Sequence, residues 1–181
     1  MAHDNDQSHG HGSGHHHHGH DHLGAAAPCA HAVGRSERVP AALDEAEAAC
    51  ETRGVRLTPI RRKVLEALYA THKPASAYDL IDALAASGDK RHAPVTIYRA
   101  LDFLLDNGFA HRLESRNAFI ACPSSHAPGE PVVFLICERC GGVDEAVSEE
   151  LAGALSRLTQ AQGFQPRTRV IELAGSCSHC V

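Results

Sequence analysis

The sequence contains no tryptophan, and aromatic residues make up 4% of its 181 positions. Its core must therefore rest on Leu, Val, Ile and Ala, and a hydrophobic fraction of 43% is enough for a packed interior. No apolar run approaches the roughly 18 to 20 residues that a membrane span needs, which excludes a transmembrane helix. The N-terminus has no apolar stretch of the signal-peptide kind, so the expectation is a soluble cytoplasmic protein without a membrane partner. The length suits one ordinary domain or two small ones, at roughly 100 to 150 residues each, and disfavours a large α/β enzyme fold.

Basic residues are scarce outside the middle of the chain. Residues 1–52 carry 2 Lys and Arg against 8 Asp and Glu, residues 53–116 carry 11 against 7, and residues 117–181 carry 4 against 7. Behind a net charge of −5 there is thus a central third at +4 between neighbours at −6 and −3. A polyanion would bind the middle, so the acidic overall balance does not exclude a nucleic-acid partner. Apolar residues are missing from positions 3–22, and 10 of the 15 histidines lie between His3 and His31 among Gly, Ser and Asp. Residues 1–40 are expected to be a disordered His-rich tail, and clustered imidazoles bind divalent transition metals loosely.

Helical signals begin near position 41. A first helix is predicted over 41–53, stopped at Gly54. A second opens with Thr58 as N-cap and Pro59 at N1, and turns Ile60, Val64, Leu65 and Leu68 to one face. A third starts at Ser76 and buries Leu80, Ile81 and Leu84. A fourth begins near Pro94, buries Ile97, Leu101, Leu104 and Leu105, and stops at Gly108. Extended segments then follow at 110–113 and 118–122, joined by the polar turn 114–117. Helices followed by such a hairpin are the ordering of a winged helix-turn-helix.

A Pro/Gly/Ser segment at 123–131 reads as a linker. The remainder predicts strands at 132–137, near Val143 and at 167–173, with a helix over 148–162. The expected fold is α+β: a winged helix-turn-helix domain over 41–122, then a small α/β dimerisation domain over 132–181. At about 50 residues the second unit needs a metal, a partner subunit or both.

Seven cysteines in a chain with no export signal argue for reduced thiols and metal ligands over a disulfide framework. Cys137-x2-Cys140 and Cys177-x2-Cys180 are two CxxC pairs separated by 36 residues. Four thiolates close a tetrahedral shell at about 2.3 Å with no open position, as structural zinc requires. The pairs cap opposite ends of the small domain, so a metal would staple its last segment to its first hairpin. A looser set is His111, Cys122, His126 and Glu145, two imidazoles, a thiolate and a carboxylate from both sides of the linker. Its soft sulfur suits Zn²⁺ better than Mn²⁺, and a metal there could fix the angle between domains. Spacing alone leaves these residues open to ordinary surface or packing roles.

In the fourth helix, turning Ile97 and Leu101 inward offers Thr96, Tyr98 and Arg99 outward near its N-terminus, the end that contacts base edges in helix-turn-helix proteins. Arg99 could pair with a guanine edge and Tyr98 with a thymine methyl or a phosphate. Arg61, Arg62, Lys90, Arg91 and Arg116 could contact phosphates. The alternative is an ordinary charged face.

These segments carry a resemblance. Gly54-Val55-Arg56-Leu57-Thr58-Pro59-Ile60-Arg61-Arg62, the run from Ala93 to Leu101 and Cys137-Glu138-Arg139-Cys140-Gly141 resemble the ferric uptake regulator (Fur) family of metal-responsive repressors. Within it, the run His111-Arg112-Leu113-Glu114-Ser115-Arg116-Asn117-Ala118-Phe119 and Phe134-Leu135-Ile136-Cys137 are similar to the zinc uptake regulator (Zur) branch. Iron-sensing members usually carry a His-His-Asp-His cluster before the first CxxC; here Pro131-Val132-Val133-Phe134 stands there. The resemblance implies a homodimer with an N-terminal DNA-binding domain and two Zn²⁺ per chain. Structural zinc would lie on Cys137, Cys140, Cys177 and Cys180, and regulatory zinc on His111, Cys122, His126 and Glu145. Tyr98 and Arg99 match the recognition-helix pair. The His-rich extension lies outside the family core, and Cys29 and Cys50 match no motif.

The expected function is therefore a zinc-responsive transcriptional repressor, Zn-loaded and homodimeric, on inverted-repeat operators in double-stranded DNA near zinc-uptake genes. Two alternatives differ in class: a Fur-family regulator sensing Fe or Mn, and a His-rich metal storage or chaperone protein. An enzyme is not expected, nor a small-molecule substrate other than metal. The chain has no HExxH segment and no Ser/His/Asp set, and four protein ligands leave no position for a reacting water.

Overall fold

The computed structural model describes residues 39–122, 131–166 and 169–181. The His-rich segment, Cys29 and His126 lie outside the described residues. The first half is helical: α1 (Val39–Thr52), α2 (Pro59–Tyr69), α3 (Ala77–Ala86) and α4 (Pro94–Asp106). Pro59 and Pro94 stand in the first turns of α2 and α4, where a missing N–H leaves no bond unmade. Thr58 occupies the N-cap of α2 without a side-chain cap bond. Ser76 makes the full capping box of α3: its hydroxyl accepts from the Asp79 N–H while the Asp79 carboxylate accepts from the Ser76 N–H. The predicted apolar faces close one core of Leu43, Val64, Leu65, Leu68, Leu80, Ile81, Leu84, Ile97, Leu101 and Leu104. Two positions expected inside, Ile60 and Leu105, pack against its margin half-buried.

The wing follows as β1 (Ala110–Leu113), a single 3-10 turn (Glu114–Arg116) and β2 (Ala118–Ala121). Asn117 takes the left-handed conformation, at φ 45°, that closes this tight turn. The strands pair antiparallel from Ala110↔Ala121 to Leu113↔Ala118, and Ala75 exchanges both backbone hydrogen bonds with Phe119. Every residue of β2 is buried. The period-2 rule explains why: Phe119 and Ala121 point into the helical core, while Ile120 and, from β1, Leu113 point the other way into a second core.

That second core is completed by Val132, Phe134, Ile136 and Val143. They come from a sheet in the order β4-β3-β5, made of β3 (Val132–Cys137), β4 (Val143–Ala146) and β5 (Val170–Gly175). β4 runs antiparallel to β3; β5 runs parallel to it, reached through α5 (Glu149–Ala161). Register with β3, from Val132↔Val170 to Cys137↔Gly175, carries β5 two residues beyond the predicted end at 173 and brings the chain to the second CxxC. Across the sheet, Glu145, Phe134 and Glu172 are register partners and share the face turned toward the wing. Leu135 and Leu173 occupy the opposite face and are exposed. α5 contributes no buried residue, and among the described residues no helix is long and apolar enough to cross a membrane.

Candidate functional site

The first CxxC forms a tight knuckle after β3. Gly141 donates to the Cys137 carbonyl at 2.9 Å, Cys137 to the Gly142 carbonyl at 2.8 Å, and the Gly142 N–H reaches the Cys140 sulfur at 3.4 Å. Gly141 stands at φ 73°, a conformation that L side chains rarely adopt, so the knuckle requires glycine. The second CxxC turns back so that the Cys177 N–H points at the Cys137 sulfur, 3.4 Å away. All four sulfurs lie within 4.8 Å of one another. Thiolates around tetrahedral zinc, bonded at about 2.3 Å, stand roughly 3.8 Å apart, so the quartet matches that shell. Backbone N–H groups of Cys140, Cys177 and Arg139 hold the Cys137 thiol at about 6. Hydrogen bonding with Cys177, burial and the neighbouring Cys140 and Cys137 push Cys180 far above the ordinary thiol range. Four sulfurs in such proximity cannot all ionise without a cation, and this donor set fits a soft divalent one.

The second site gathers three donors from different elements. His111 leaves β1 on the face opposite the helices, Cys122 follows β2, and Glu145 lies on β4; their ligand atoms fall within 4.8 Å of one another. The His111 Nε2 stands 3.6 Å from the Glu145 Oε1, and the Cys122 Sγ lies 4.0 Å from the same oxygen. Donors around tetrahedral zinc are about 3.3 to 3.8 Å apart, so only small adjustments separate this group from a coordination shell. Its supports are specific. The Phe134 ring meets the imidazole edge-on at 5.1 Å, and the Tyr69 hydroxyl donates to the Cys122 carbonyl at 2.6 Å. The Cys122 N–H donates to the Phe109 carbonyl at 3.0 Å. The Glu145 side chain is 5% exposed, a burial that favours a cation beside the carboxylate.

Residues expected to face DNA divide into two groups. Tyr98, 42% exposed, and Arg99 project from the first turns of α4, with Thr96 half-buried beside them. Among the described residues no ion pair holds Lys90, Arg99 or Arg116. By contrast, the Arg61 guanidinium lies 3.6 Å over the Phe103 ring and donates to the Arg56 carbonyl at 2.6 Å. Arg62 pairs with Glu47 on α1, and Arg91 pairs with Asp82 at 2.8 Å. The segment entering α4 is also tethered: Asp89 accepts from Lys63 at 2.7 Å, and this bond holds its carboxyl below the usual range.

The sequence model of the ferric uptake regulator family matches residues 52–174, more than half of the chain. The chain belongs to the ferric uptake regulator family. It is 41% identical over 139 residues to the zinc uptake regulation protein of Escherichia coli (strain K12), covering 77% of this chain and 81% of that protein. A solved zinc uptake regulator in complex with zinc and DNA superposes with a TM-score of 0.72 at 39% identity, covering 77% of this chain and 93% of the other. Holo XcZur superposes with a TM-score of 0.66 at 43% identity, covering 75% and 94%. The protein is accordingly a Zur-like member of a family of transcription regulators, which are not enzymes.

As a Fur-family protein it contains parts that the sequence reading missed. Phe134, read as a strand residue and as part of the family resemblance but not as a site residue, packs its ring against His111. Glu172 reaches the wing turn, donating nothing and accepting from the Glu114 N–H at 2.8 Å and from the Ser115 hydroxyl. The available signal was a lone carboxylate inside the apolar run Val170-Ile171-Glu172-Leu173. Cys50, unplaced by any motif, is buried on α1, and burial raises its thiol pKa, which marks a packing residue.

Proposed function

We propose that this protein is a zinc-responsive transcriptional repressor that binds inverted-repeat operators as a zinc-loaded homodimer and represses zinc-uptake genes. The observation that carries this reading is the convergence of His111, Cys122 and Glu145, because the wing supplies two donors and the sheet the third. Zinc held there, with His126 as the fourth ligand, would join the wing to the sheet and fix how the helical unit is presented. The Cys137, Cys140, Cys177 and Cys180 quartet would hold a second, structural zinc, giving two per chain. The proposed divisions are a tail at 1–40, a DNA-binding domain at 41–122, a linker at 123–131 and a dimerisation domain at 132–181, in a cytoplasmic protein.

In this reading Thr96, Tyr98 and Arg99 read base edges from α4, while Arg116, Lys90, Arg91, Arg61 and Arg62 meet phosphates. Arg61, Arg62 and Arg91 exchange or share their present partners to do so. The dimer face is the exposed side of the sheet, where Leu173 is 53% exposed, together with α5, whose Leu158 is 59% exposed. Two recognition helices related by a two-fold axis match two half-sites of an inverted repeat. A coupling of roughly 1 to 3 kcal/mol between zinc and DNA is enough for a working switch.

The test is DNA binding to an inverted-repeat promoter fragment with free zinc, iron or manganese fixed by chelators. Tight binding at the lowest free level with zinc alone is expected. Equal response to iron or manganese would keep the family and overturn the choice of metal. Deleting residues 1–31 separates sensing from storage: a sensor keeps about two zinc ions per chain, whereas a storage protein loses most of its metal.

A further inference from the structure

Glu145, Phe134 and Glu172 form one row across the three-stranded sheet, on the face turned toward the wing. The row grips the hairpin at two places. At the Glu145 end are His111 and Cys122, near the open ends of β1 and β2. At the Glu172 end is the 3-10 turn at the wing's tip, where the carboxylate accepts from the Glu114 N–H and the Ser115 hydroxyl. Between them the Phe134 ring packs on His111. One grip gathers three donors that could share a metal ion, and among the described residues the other gathers no such group.

The tip that Glu172 holds is itself braced. Arg112 donates to the Asn117 side-chain oxygen at 3.0 Å and lies 3.4 Å from the Glu114 carboxylate, so the turn moves as a unit. Its last residue is Arg116, one of the proposed phosphate contacts. The bond to the Glu114 N–H holds the backbone of the turn, while the Arg116 side chain stays exposed. A carboxylate that accepts two hydrogen bonds from one turn is a charge-assisted clamp, stronger than neutral bonds of the same geometry.

We infer that Glu172 is a metal-independent latch on the wing, a positioning residue that sets the zinc concentration at which the protein responds. The inference rests on the zinc-sensor reading above. A chain whose wing is already held against the sheet presents His111 and Cys122 close to Glu145 before metal arrives. Apparent metal affinity scales with the fraction of molecules in the competent arrangement, so the latch raises that affinity without touching the metal. Once zinc joins the other end of the row, the wing stays in place with or without Glu172. Loss of the latch therefore moves the zinc midpoint and spares the zinc-saturated affinity for DNA.

The experiment uses the full chain, an inverted-repeat promoter fragment that the unmodified protein binds, and chelator-buffered zinc. Glu172→Ala is expected to shift the midpoint of DNA binding about three- to tenfold toward higher free zinc, given the modest net contribution of solvent-exposed hydrogen bonds. DNA affinity at saturating zinc should stay within about twofold of the parent. Ser115→Ala should shift the midpoint less, and adding it to Glu172→Ala should produce little further change, because both remove the same clamp. Glu172→Gln keeps the shape and one acceptor oxygen, so it should fall between, and it carries the test if the alanine variant folds poorly. In the zinc-free chain, amide exchange over 110–122 should quicken in Glu172→Ala. An unchanged midpoint, unchanged wing exchange, or a weaker saturated affinity at a constant midpoint would each overturn the latch. If the unmodified protein shows no zinc-dependent DNA binding, the sensor reading fails instead, and wing exchange without zinc still tests the contact.

Discussion

At the scale of single residues, Cys122 combines two roles carried by different atoms. Its backbone is fixed by Tyr69 and Phe109, while its thiol faces Glu145. Cys122→Ser leaves the backbone bonds intact, so the helical circular dichroism should be unchanged while bound zinc falls by about one per chain. Retention of full stoichiometry and zinc response would remove Cys122 from the sensor site. Cys137 offers a pH test. Its folded value of about 6 lies below the ordinary 9.0, so the thiolate stabilises the metal-free fold fully above pH 9 and progressively less as pH falls toward 6. Thiolate absorbance of the metal-free chain should show an early ionisation step near pH 6 that Cys137→Ala lacks. The arginines separate on similar grounds. Arg99→Ala should cost about 1 to 3 kcal/mol of operator affinity with little effect on melting. Arg61→Ala should lower thermal stability, because its guanidinium covers Phe103 and ties down the Arg56 carbonyl.

At the scale of elements, the capping box of α3 is the most local determinant. Ser76→Ala removes the hydroxyl that accepts from the Asp79 N–H and leaves only the backbone half of the box, so the denaturation midpoint should drop by the equivalent of about 1 kcal/mol. An unchanged midpoint would mean that packing of Leu80, Ile81 and Leu84 alone sets the start of this helix. Such signals are short-range, which is why the helices were legible in the sequence: Pro59, Ser76 and Pro94 mark their starts and the apolar period gives the buried face. Strand β3 was equally legible as an uninterrupted apolar run, Val132–Cys137. The end of β5 was not, because its length is set by pairing with β3, a partner 38 residues away at Val132↔Val170. The site divides the same way. Two CxxC pairs announce themselves by spacing. The His111, Cys122 and Glu145 group draws its meaning from the wing docking on the sheet, and spacing alone left it ambiguous. Glu172 could be flagged only as a charge in an apolar strand, since its partners Glu114 and Ser115 lie more than fifty residues upstream.

At the scale of the whole molecule, apolar surface remains uncovered on one side of the sheet. Leu135 and Leu173 on that side, with Leu158 on α5 and Phe164, 64% exposed, just beyond that helix, are large hydrophobic side chains open to water in one chain. A second copy covering Leu173 predicts that Leu173→Asp converts a dimer to a monomer in sedimentation and weakens operator binding, with bound zinc per chain unchanged. A dimeric Leu173→Asp protein would place the contact elsewhere. The wing has a consequence of another kind. Because β2 is buried on both faces, Leu113 and Ile120 complete the interior of the sheet while Phe119 and Ala121 complete that of the helices. Neither half owns all of its interior, so a cut between residues 122 and 131 would leave the sheet with Val132, Phe134, Ile136 and Val143 facing solvent where the hairpin had been. The two halves should therefore melt in one calorimetric transition. The sheet half is not a transferable cassette: grafted onto a different helical unit, it would arrive without the strands that line its inside.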